Sequence, residues 1–322
     1  MDKNLIRFLD VNKIPYEVNV DLKKKTWIHR GGIAAFYIVP SSLYELKIIV
    51  TELYKCNIPF LVIGHTSNIY IKNSTNLDVV ISTIHCNKYK ISNNYIVGEC
   101  GVNVKRLSLD CINRGLAGLE YLTCLPGTVA AAIYNNSSCR KSCLSDYVTY
   151  VEYIDRQGEI HRVTREELGF EFRTSNFKKK KIQGVIISWK LQLAYGNSLS
   201  LRRSADENEK ERYRLLEGPK NNLGSTIDDL FYYGNMPLFY RIPYKIFQKI
   251  ISLFYKDLLR QKIKSKRFLL FITKNTELSP YISDKQYSTF IWANDDADLY
   301  FERYKQFMLK VFRTDKVEIE VF

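Results

Sequence analysis

Short apolar runs alternate with helical patterns through the first 200 residues, and this alternation constrains the fold more than any other feature of the sequence. Residues 36–39 are predicted to form a strand, and residues 43–50 are predicted to form a helix that Ser41 and Ser42 can cap. Residues 59–63 then predict a buried strand that ends at Gly64. A strand, a helix and a strand of these lengths indicate a βαβ unit.

The pattern changes after residue 77, where strand-like runs dominate. One helix is predicted over residues 104–113, and it stops near Gly115. The turn at residues 155–158 is typical of a hairpin that leads into a further strand. The other predicted strands of this stretch cover residues 78–81, 95–97, 148–154 and 185–191.

The last third of the chain differs again. Residues 198–222 are polar and charged, and we interpret them as a connection into a second domain. Beyond them the sequence predicts helices, including one over residues 298–312, and a final strand over residues 317–321. The sequence therefore predicts an α+β protein with three parts, at residues 1–77, 78–197 and 198–322.

Bulk properties favour a protein that stays in a reducing compartment. No stretch approaches the roughly 20 apolar residues that cross a bilayer, and residues 1–7 do not resemble a secretory signal. The seven cysteines are an odd number and do not form a disulfide framework. Cys139 and Cys143 have no partners that would complete a metal set, so unpaired thiols are the preferred interpretation. We expect a cytoplasmic protein without membrane insertion, and the sequence does not reveal its oligomeric state.

The formal net charge of +14 favours anionic partners, which include nucleic acid, anionic lipid and phosphorylated small molecules. The basic residues are spread along the chain, and the run at residues 178–181 is typical of a solvated loop. Signatures of helix-turn-helix, RNP and zinc-finger proteins are absent from the sequence. We therefore do not expect nucleic acid to be a partner.

Three loops contain residue types that suit ligand binding. Residues 64–68 follow a strand, and small or hydroxylated residues there leave backbone N–H groups available to a phosphate, although such turns are commonplace. The small residues at 125–132 permit close approach of the backbone to a flat ligand, but they also suit a tightly packed helix start. Arg173 can bind a carboxylate or phosphate through two parallel hydrogen bonds from its guanidinium. Without further evidence, a surface ion pair is the better interpretation of this arginine.

Taken together, these residues resemble the UDP-N-acetylenolpyruvoylglucosamine reductase family in order and spacing. The resemblance covers residues 26–193 with few gaps, and five motifs stay in register. The matching residues are 27–34 with Pro40, 64–68, 115–120, 126–129 with Ala132 and Asn136, and Asp146, Asp155, Gly158, 166–168 and 173–175.

The resemblance implies a two-part FAD-binding unit of the vanillyl-alcohol-oxidase type, followed by a C-terminal α+β substrate domain. In this family, which serves peptidoglycan synthesis, NADPH reduces a non-covalent FAD, and hydride then passes to the enolpyruvyl methylene carbon of a UDP-sugar. The pyrophosphate of FAD is expected over the loop that contains Ser67 and Asn68. The implied cofactor-binding residues are Gly64, His65, Thr66, Ser67, Asn68, Pro126, Gly127, Thr128 and Asn136.

The resemblance also implies three catalytic residues. Arg173 occupies the position of the family arginine that polarises the substrate carboxylate, where developing negative charge must be stabilised. Ser225, in the step Gly224-Ser225, is similar to the serine that protonates the neighbouring carbon. Glu320, in the terminal strand, is similar to the catalytic glutamate. The resemblance is weaker at Ser225 and Glu320, since a Gly-Ser step and an exposed glutamate on a strand are both common.

Several residues depart from the family pattern. His65 and Thr66 replace glycines of the phosphate loop, where a side chain crowds the phosphates or adopts a positive φ at a cost of about 1 kcal/mol or more. Ala130 and Ala131 also replace glycines, and Phe172 replaces a tyrosine. Residues 137–141 and 226–229 differ as well. His65 and Arg140 are candidates for additional phosphate contacts; the position of His65 does not match histidine-linked flavoproteins.

These departures leave alternatives open. One is a flavoprotein of the same fold that acts on another sugar nucleotide in surface-polysaccharide synthesis. Another is a degenerate flavin fold that serves as a binding or scaffolding protein, which the lost glycines motivate.

Overall fold

The computed structural model describes residues 3–139, 142–218, 221–227, 236–294, 296–314 and 316–322. The chain divides into two compact units. Unit 1 comprises residues 1–25, 32–66 and 74–210, and unit 2 comprises residues 26–31, 67–73 and 211–322. Two short segments from the first quarter of the chain therefore belong with the C-terminal third.

The first part of the chain contains helices α1 (Lys3–Val11), α2 (Leu43–Lys55), α3 (Val104–Asn113) and α4 (Val129–Tyr134). Its strands are β1 (Tyr16–Asp21), β2 (Ile33–Ile38), β3 (Phe60–Ile63), β4 (Ile69–Tyr70), β5 (Asn76–Ser82), β6 (Tyr89–Ser92), β7 (Tyr95–Glu99), β8 (Leu116–Ala117), β9 (Ser138–Cys139), β10 (Ser142–Cys143), β11 (Val148–Ile154), β12 (Ile160–Thr164), β13 (Val185–Gln192) and β14 (Ala194–Tyr195). The rest contains α5 (Ser198–Leu215), α6 (Leu238–Phe254), α7 (Leu258–Ile272), α8 (Ala297–Phe312) and β15 (Glu320–Val321).

Unit 1 contains two main sheets. The first has the order β1-β2-β5-β3, with β1 antiparallel to β2 and the other pairs parallel. The second is antiparallel, with the order β12-β11-β13-β7-β6. Two further strand pairs, β9 with β10 and β8 with β14, are short. The parallel pairs of the first sheet confirm the predicted βαβ unit at residues 36–63.

Helix α2 is held by a cap and by its buried face. The Ser42 hydroxyl accepts a hydrogen bond from the backbone N–H of Glu45, and the Glu45 carboxylate accepts one from the N–H of Ser41, which satisfies N–H groups at the start of the helix. Leu46, Ile49, Val50 and Leu53 are completely buried and join one hydrophobic core with residues of both main sheets. The helix therefore packs through the face that the periodicity of its sequence predicts.

Most predicted elements are confirmed, and the differences have local causes. Strand β3 is half-buried over residues 60–62 rather than buried, because it lies at the edge of its sheet. The final strand shortens to Glu320–Val321, since only these residues pair with β4. The polar connection predicted at 198–222 begins as helix α5, which runs across the boundary between the units.

The sequence does not predict helix α5, because most of its side chains are charged or polar and few of them are buried. Asn197 accepts a hydrogen bond from the N–H of Ser200 and so caps the helix. Only Leu201, Ala205 and Asn208 are buried along its length. Their spacing of three to four residues is helical, but it is too sparse to predict a helix by itself.

Unit 2 has an aromatic core. The ring of Tyr70, from β4, lies 5.2 Å from that of Trp292 and 5.3 Å from that of Phe301, between ring centroids. Phe290 contacts both Trp292 and Phe301. Burial raises the pKa of the Tyr70 hydroxyl well above its usual range, and the neighbouring Asp298 carboxyl acts in the same direction. The short segment 67–73 is therefore anchored in unit 2 by a large buried side chain.

Gly98 of β7 allows a close approach of Trp189 in unit 1, and the stability of this unit should depend on that contact. A Cβ added at Gly98 would lie 2.3 Å from Cζ2 of the fully buried Trp189. We expect Gly98→Ala to lower the free energy of unfolding by about 1–3 kcal/mol, because the packed core must shift. Gly218→Ala is the control, since nothing lies within 4 Å of its added Cβ. Equal urea-unfolding midpoints for the two variants would contradict this packing argument.

Candidate active site

Gly64, at the end of β3, brings two of the predicted loops together. A Cβ on Gly64 would lie 2.7 Å from Oγ1 and 2.8 Å from Cγ2 of Thr128. Such distances are shorter than real Cβ contacts allow, so a side chain at residue 64 would separate the loops. The structure therefore places the 64–66 segment directly against the start of α4.

The residues after Gly64 carry the backbone strain that the sequence predicts. Thr66 is buried and has φ +54°. A β-branched residue in this left-handed region costs about 1–2 kcal/mol relative to ordinary backbone. The His65 ring lies 3.5 Å from the side-chain amide of Asn103, between Nδ1 and Nδ2, and Asn103 also caps α3. The loop thus keeps its conformation at an energetic cost.

The N–H groups of this loop suit an anion. Within the described chain, the backbone N–H groups of Gly64 and His65 meet no protein acceptor at hydrogen-bond distance. Both residues are half-buried. Backbone N–H groups of this kind form concave sites that bind phosphate, so the donor set fits the pyrophosphate of a dinucleotide.

The second loop is a capped helix start. The Thr128 hydroxyl accepts a hydrogen bond from the N–H of Ala131, and the N–H of Val129 donates to the carbonyl of Val102 at 2.8 Å. Gly127 has φ +120°, and its carbonyl accepts from the N–H of Val104. This local structure agrees with the tightly packed helix start considered above. Pro126, immediately before it, is half-buried.

At the other end of α4, the segment after the helix is joined to the arginine turn. The buried Asn136 side chain donates to the carbonyl of Glu171 at 2.8 Å, and Nη1 of Arg173 donates to the carbonyl of Ser138 at 3.2 Å. Asn136 and Arg173 both have positive φ values, +44° and +54°. The Ser175 hydroxyl adds a third link, to the carbonyl of Tyr134. These links fix the backbone that carries Arg173.

The lysine run is partly structural, which corrects the prediction of a purely solvated loop. Lys178 donates to Oδ1 of Asn135 at 2.8 Å, and Lys179 forms an ion pair with Glu171 at 2.5 Å. The hydrogen bond and the charge of Lys179 lower the pKa of the Glu171 carboxyl. Lys180 and Lys181 are exposed. Half of the run therefore supports the arginine turn.

In unit 2, Glu320 lies beside the loop residue Asn68. Strand β15 pairs in parallel with β4, and the N–H of Glu320 donates to the carbonyl of Asn68 at 3.0 Å. Ser67 and Asn68 are half-buried, as is Glu320. Two residues that the sequence assigns to different parts of the site are therefore neighbours within one unit.

Ser225 lies on a segment that contacts the same C-terminal chain. The N–H of Glu318 donates to the carbonyl of Thr226 at 3.0 Å. The Ser225 hydroxyl donates to the buried Ser288 hydroxyl at 2.9 Å and lies 3.2 Å from the carbonyl of Ile227. The sequence analysis missed Ser288, and no signal at that position could have indicated it, since 63 residues separate the two serines.

A cavity of about 410 Å³ lies between α6, α7 and the segment that precedes Ser288. Lys262, Lys266 and Lys285 line it. Lys266 is buried and donates to the carbonyls of Ser279 and Ile282. Burial, with the charges of Lys285 and Arg214, lowers the pKa of Lys262. Lys266 also forms an ion pair with Asp284, which lines the same cavity, and the sequence analysis did not identify this cavity.

The cysteines do not form disulfides or a metal site within the described residues. All seven are free thiols, and no group of three His, Cys, Asp or Glu side chains in the described chain has the geometry of a metal site. Cys143 instead contacts Oδ1 of Asn136 through its Sγ atom at 2.9 Å. Arg140, Lys141, Asp228 and Asp229, which the sequence analysis also discussed, lie outside the described residues. None of the described helices is long and apolar enough to cross a membrane.

Comparison with known proteins shows what this chain is similar to. Residues 34–164 match the model of an FAD binding domain. UDP-N-acetylenolpyruvoylglucosamine reductases from Staphylococcus aureus strains COL and MRSA252 are each 27% identical over 205 residues, which is 63% of this chain and 66% of theirs. The matched region thus spans slightly less than two thirds of these relatives' length.

The fold extends the similarity over nearly the whole chain. The crystal structure of UDP-N-acetylenolpyruvylglucosamine reductase from Thermus caldophilus aligns with a TM-score of 0.66, covering 96% of this chain and 98% of that one, at 19% identity. This confirms the predicted α+β fold with a flavin-binding architecture. The chain thus contains an FAD binding domain and is similar, in sequence over 205 residues and in fold over nearly its whole length, to UDP-N-acetylenolpyruvoylglucosamine reductases.

Proposed function

We propose that the protein is a cytoplasmic, FAD-dependent reductase that uses NADPH to convert UDP-N-acetylglucosamine enolpyruvate to UDP-N-acetylmuramate, a step of peptidoglycan synthesis. In this proposal, residues 1–77 and 78–197 are the two parts of the flavin-binding unit, and residues 198–322 are the substrate domain. The sequence similarity to the Staphylococcus aureus reductases and the FAD binding domain match support the reaction class.

The observation that carries the proposal is the arrangement at the two ends of α4. Thr128, at one end, meets Gly64 and its phosphate-binding loop, and Asn136, at the other, is bonded to the turn of Arg173. A helix of six residues is about 9 Å long. One rigid element therefore separates a site for an anion from a cation, and an extended dinucleotide is long enough to reach from one to the other.

The cofactor-binding residues would be those of the 64–68 and 126–128 loops together with Asn136. FAD held there would supply hydride to the methylene carbon of the substrate. The protein must then stabilise the enolate that develops beside the substrate carboxylate. Oriented donors that are already in place are the largest contribution to such stabilisation.

Arg173 is suited to hold that carboxylate. Its guanidinium carries five N–H donors in a planar fork, and Nη1 is oriented by the Ser138 carbonyl. The positive φ of Arg173 costs free energy, and strained backbone of this kind is concentrated at functional sites. The strain therefore supports a role for the side chain beyond a surface ion pair.

Ser225 would deliver the proton that completes the reaction. Its hydroxyl is hydrogen-bonded to the Ser288 hydroxyl at 2.9 Å, which would hold the Ser225 oxygen in place for proton transfer to carbon, and water would then return a proton to Ser225. Glu320 would act beside it as a second acid–base group, since its strand is joined through residues 317 and 318 to the segment after Ser225. We propose these roles on the family resemblance and on this proximity.

A second candidate is a flavoprotein of the same fold that reduces a different sugar nucleotide in surface-polysaccharide synthesis. The sequence match covers only 63% of the chain, and the residues after Ser225 depart from the family pattern. A degenerate, non-catalytic flavin fold is the third candidate, because Thr66 adopts a strained conformation where the family has glycine.

Anaerobic spectroscopy separates the three candidates. We expect the purified protein to be yellow, to bleach with NADPH, and to recover its flavin absorbance when UDP-N-acetylglucosamine enolpyruvate is added. Other UDP-sugars are the control and should leave the flavin reduced. Recovery with a different sugar nucleotide would select the second candidate. A colourless protein that does not bind added FAD would select the third.

Arg173→Lys tests the role of the forked guanidinium. We expect flavin binding and reduction by NADPH to be retained, whereas reoxidation by the enolpyruvyl substrate slows by about 10²-fold, as for the loss of one oriented donor to developing charge. Stopped-flow absorbance measures both half-reactions. Arg165→Lys is the matched control, because Arg165 also donates to a backbone carbonyl of unit 1, that of Ser145. Equal reoxidation rates in the two variants would remove Arg173 from the mechanism.

Ser225→Ala tests proton delivery. We expect reoxidation by the substrate to fall by about 10²- to 10⁴-fold, the usual contribution of a positioned acid, while reduction by NADPH keeps its rate. Ser252→Ala is the control, since that serine is exposed on α6 and donates only to the carbonyl of Lys249 within its own helix. An unchanged rate in Ser225→Ala would exclude Ser225 as the proton donor.

A further inference from the structure

Helix α6 in unit 2 exposes an unusually large set of apolar side chains. Leu238, Phe239, Ile242, Ile246, Ile250, Leu253 and Phe254 are all exposed, and we call them the apolar face of α6. Phe239 is 80% exposed, Leu253 is 79% and Phe254 is 75%. A contiguous exposed apolar surface on a folded protein marks a site of interaction with a protein or a membrane.

The apolar face is one continuous sector of the helix. At about 100° per residue, its seven side chains fall within an arc of about 160°, and Lys249 lies inside one margin of that arc. The opposite side holds the helix to the protein, since Tyr244 is buried and Phe247 stacks on Phe268 of α7 with ring centroids 4.1 Å apart. The helix therefore packs on unit 2 through Tyr244 and Phe247, while aliphatic side chains and two phenylalanines point outward.

Basic residues flank this face. Arg241, Lys245 and Lys249 recur every four residues along one edge of the helix. Residues 238–275, which contain α6 and α7, include ten Lys or Arg and a single acidic residue, Asp257, for a net charge of +9. This stretch thus accounts for most of the +14 of the whole chain, although it contains only about an eighth of its residues.

We propose that α6 docks the protein on an anionic phospholipid bilayer, with its apolar face in the headgroup–acyl boundary and the flanking lysines on the lipid phosphates. An amphipathic helix with an aliphatic and aromatic face and a basic flank lies in the plane of such an interface. The negative surface potential of anionic lipid attracts the basic segment. The proposal does not depend on the flavin chemistry.

Charge argues against other occupants of the apolar face. In a symmetric dimer formed through α6, Arg241, Lys245 and Lys249 of one copy would lie near the same residues of the other, and like charges at an interface are unfavourable. Nucleic acid would satisfy the basic edge but would leave the exposed Ile and Leu side chains in water. An anionic bilayer would pair the basic side chains with lipid phosphates and would remove the exposed apolar side chains from water.

Vesicle flotation with the full-length protein tests the proposal. We expect the protein to float with vesicles of phosphatidylglycerol and phosphatidylcholine, at least tenfold more than with phosphatidylcholine alone, and to be released by about 0.5 M salt, which shortens the Debye length. Ile242→Gln/Ile246→Gln/Ile250→Gln should reduce the bound fraction at least tenfold. Lys245→Glu/Lys249→Glu should reduce binding to the anionic vesicles to a similar extent.

Matched substitutions on other helices are the controls. Val11→Gln/Leu199→Gln removes apolar side chains that are 73% and 80% exposed on α1 and α5, and Arg203→Glu/Lys210→Glu reverses two exposed charges on α5. Both should bind like the unmodified protein, and circular dichroism should show all variants folded. Binding that is absent, insensitive to lipid charge, or equally lost in the controls would overturn the proposal. So would a dimer in light scattering that the triple substitution alone converts to monomer.

Discussion

The close approach of Gly64 to Thr128 is the contact on which the candidate cofactor site depends. It exists only because residue 64 has no side chain. Through it, the end of a parallel strand is packed against the start of α4, and α4 then determines where Asn136 and the arginine turn begin. The position of the proposed phosphate site relative to Arg173 is thus set by one glycine and one short helix.

Left-handed backbone occurs at three residues of this arrangement, as it does at nine other non-glycine residues of the described chain. Thr66, Asn136 and Arg173 all have positive φ values, and each would be easier to accommodate as glycine. The surrounding hydrogen bonds hold the last two, since Asn136 is bonded to Glu171 and Arg173 to Ser138. The hydrogen bonds therefore keep Asn136 and Arg173 in their conformations at a cost in free energy.

The sequence predicts the parts of this structure whose determinants are local. The strand at 59–63 and the helix from residue 43 follow from apolar spacing and from the Ser42 cap, and Gly64 is recognisable because a strand ends there. The contacts that complete the candidate site are different in kind. Ser288 meets Ser225 across 63 residues, and no local pattern encodes that pairing.

In two helices, the spacing of apolar residues in the sequence does not predict which side chains are buried. Helix α5 buries only a few residues in its 18, so its helical signal is weak although its Asn197 cap and its Arg202–Asp206 ion pair are local. Helix α6 has the opposite character, because its apolar spacing is strong and yet most of those side chains point outward.

The same physical rule accounts for both helices. Apolar spacing specifies that a helix has an apolar face, but it does not specify what covers that face. In α2 the cover is the core of unit 1, and the charged residues are left to solvent. In α6 the inward contact is aromatic, and the outward face combines aliphatic side chains and two phenylalanines with lysines at its edge, so none of the described residues covers that face. A soluble partner with a basic surface would leave the lysines unpaired, whereas a lipid surface with negative headgroups removes the apolar area from water and neutralises the edge at once.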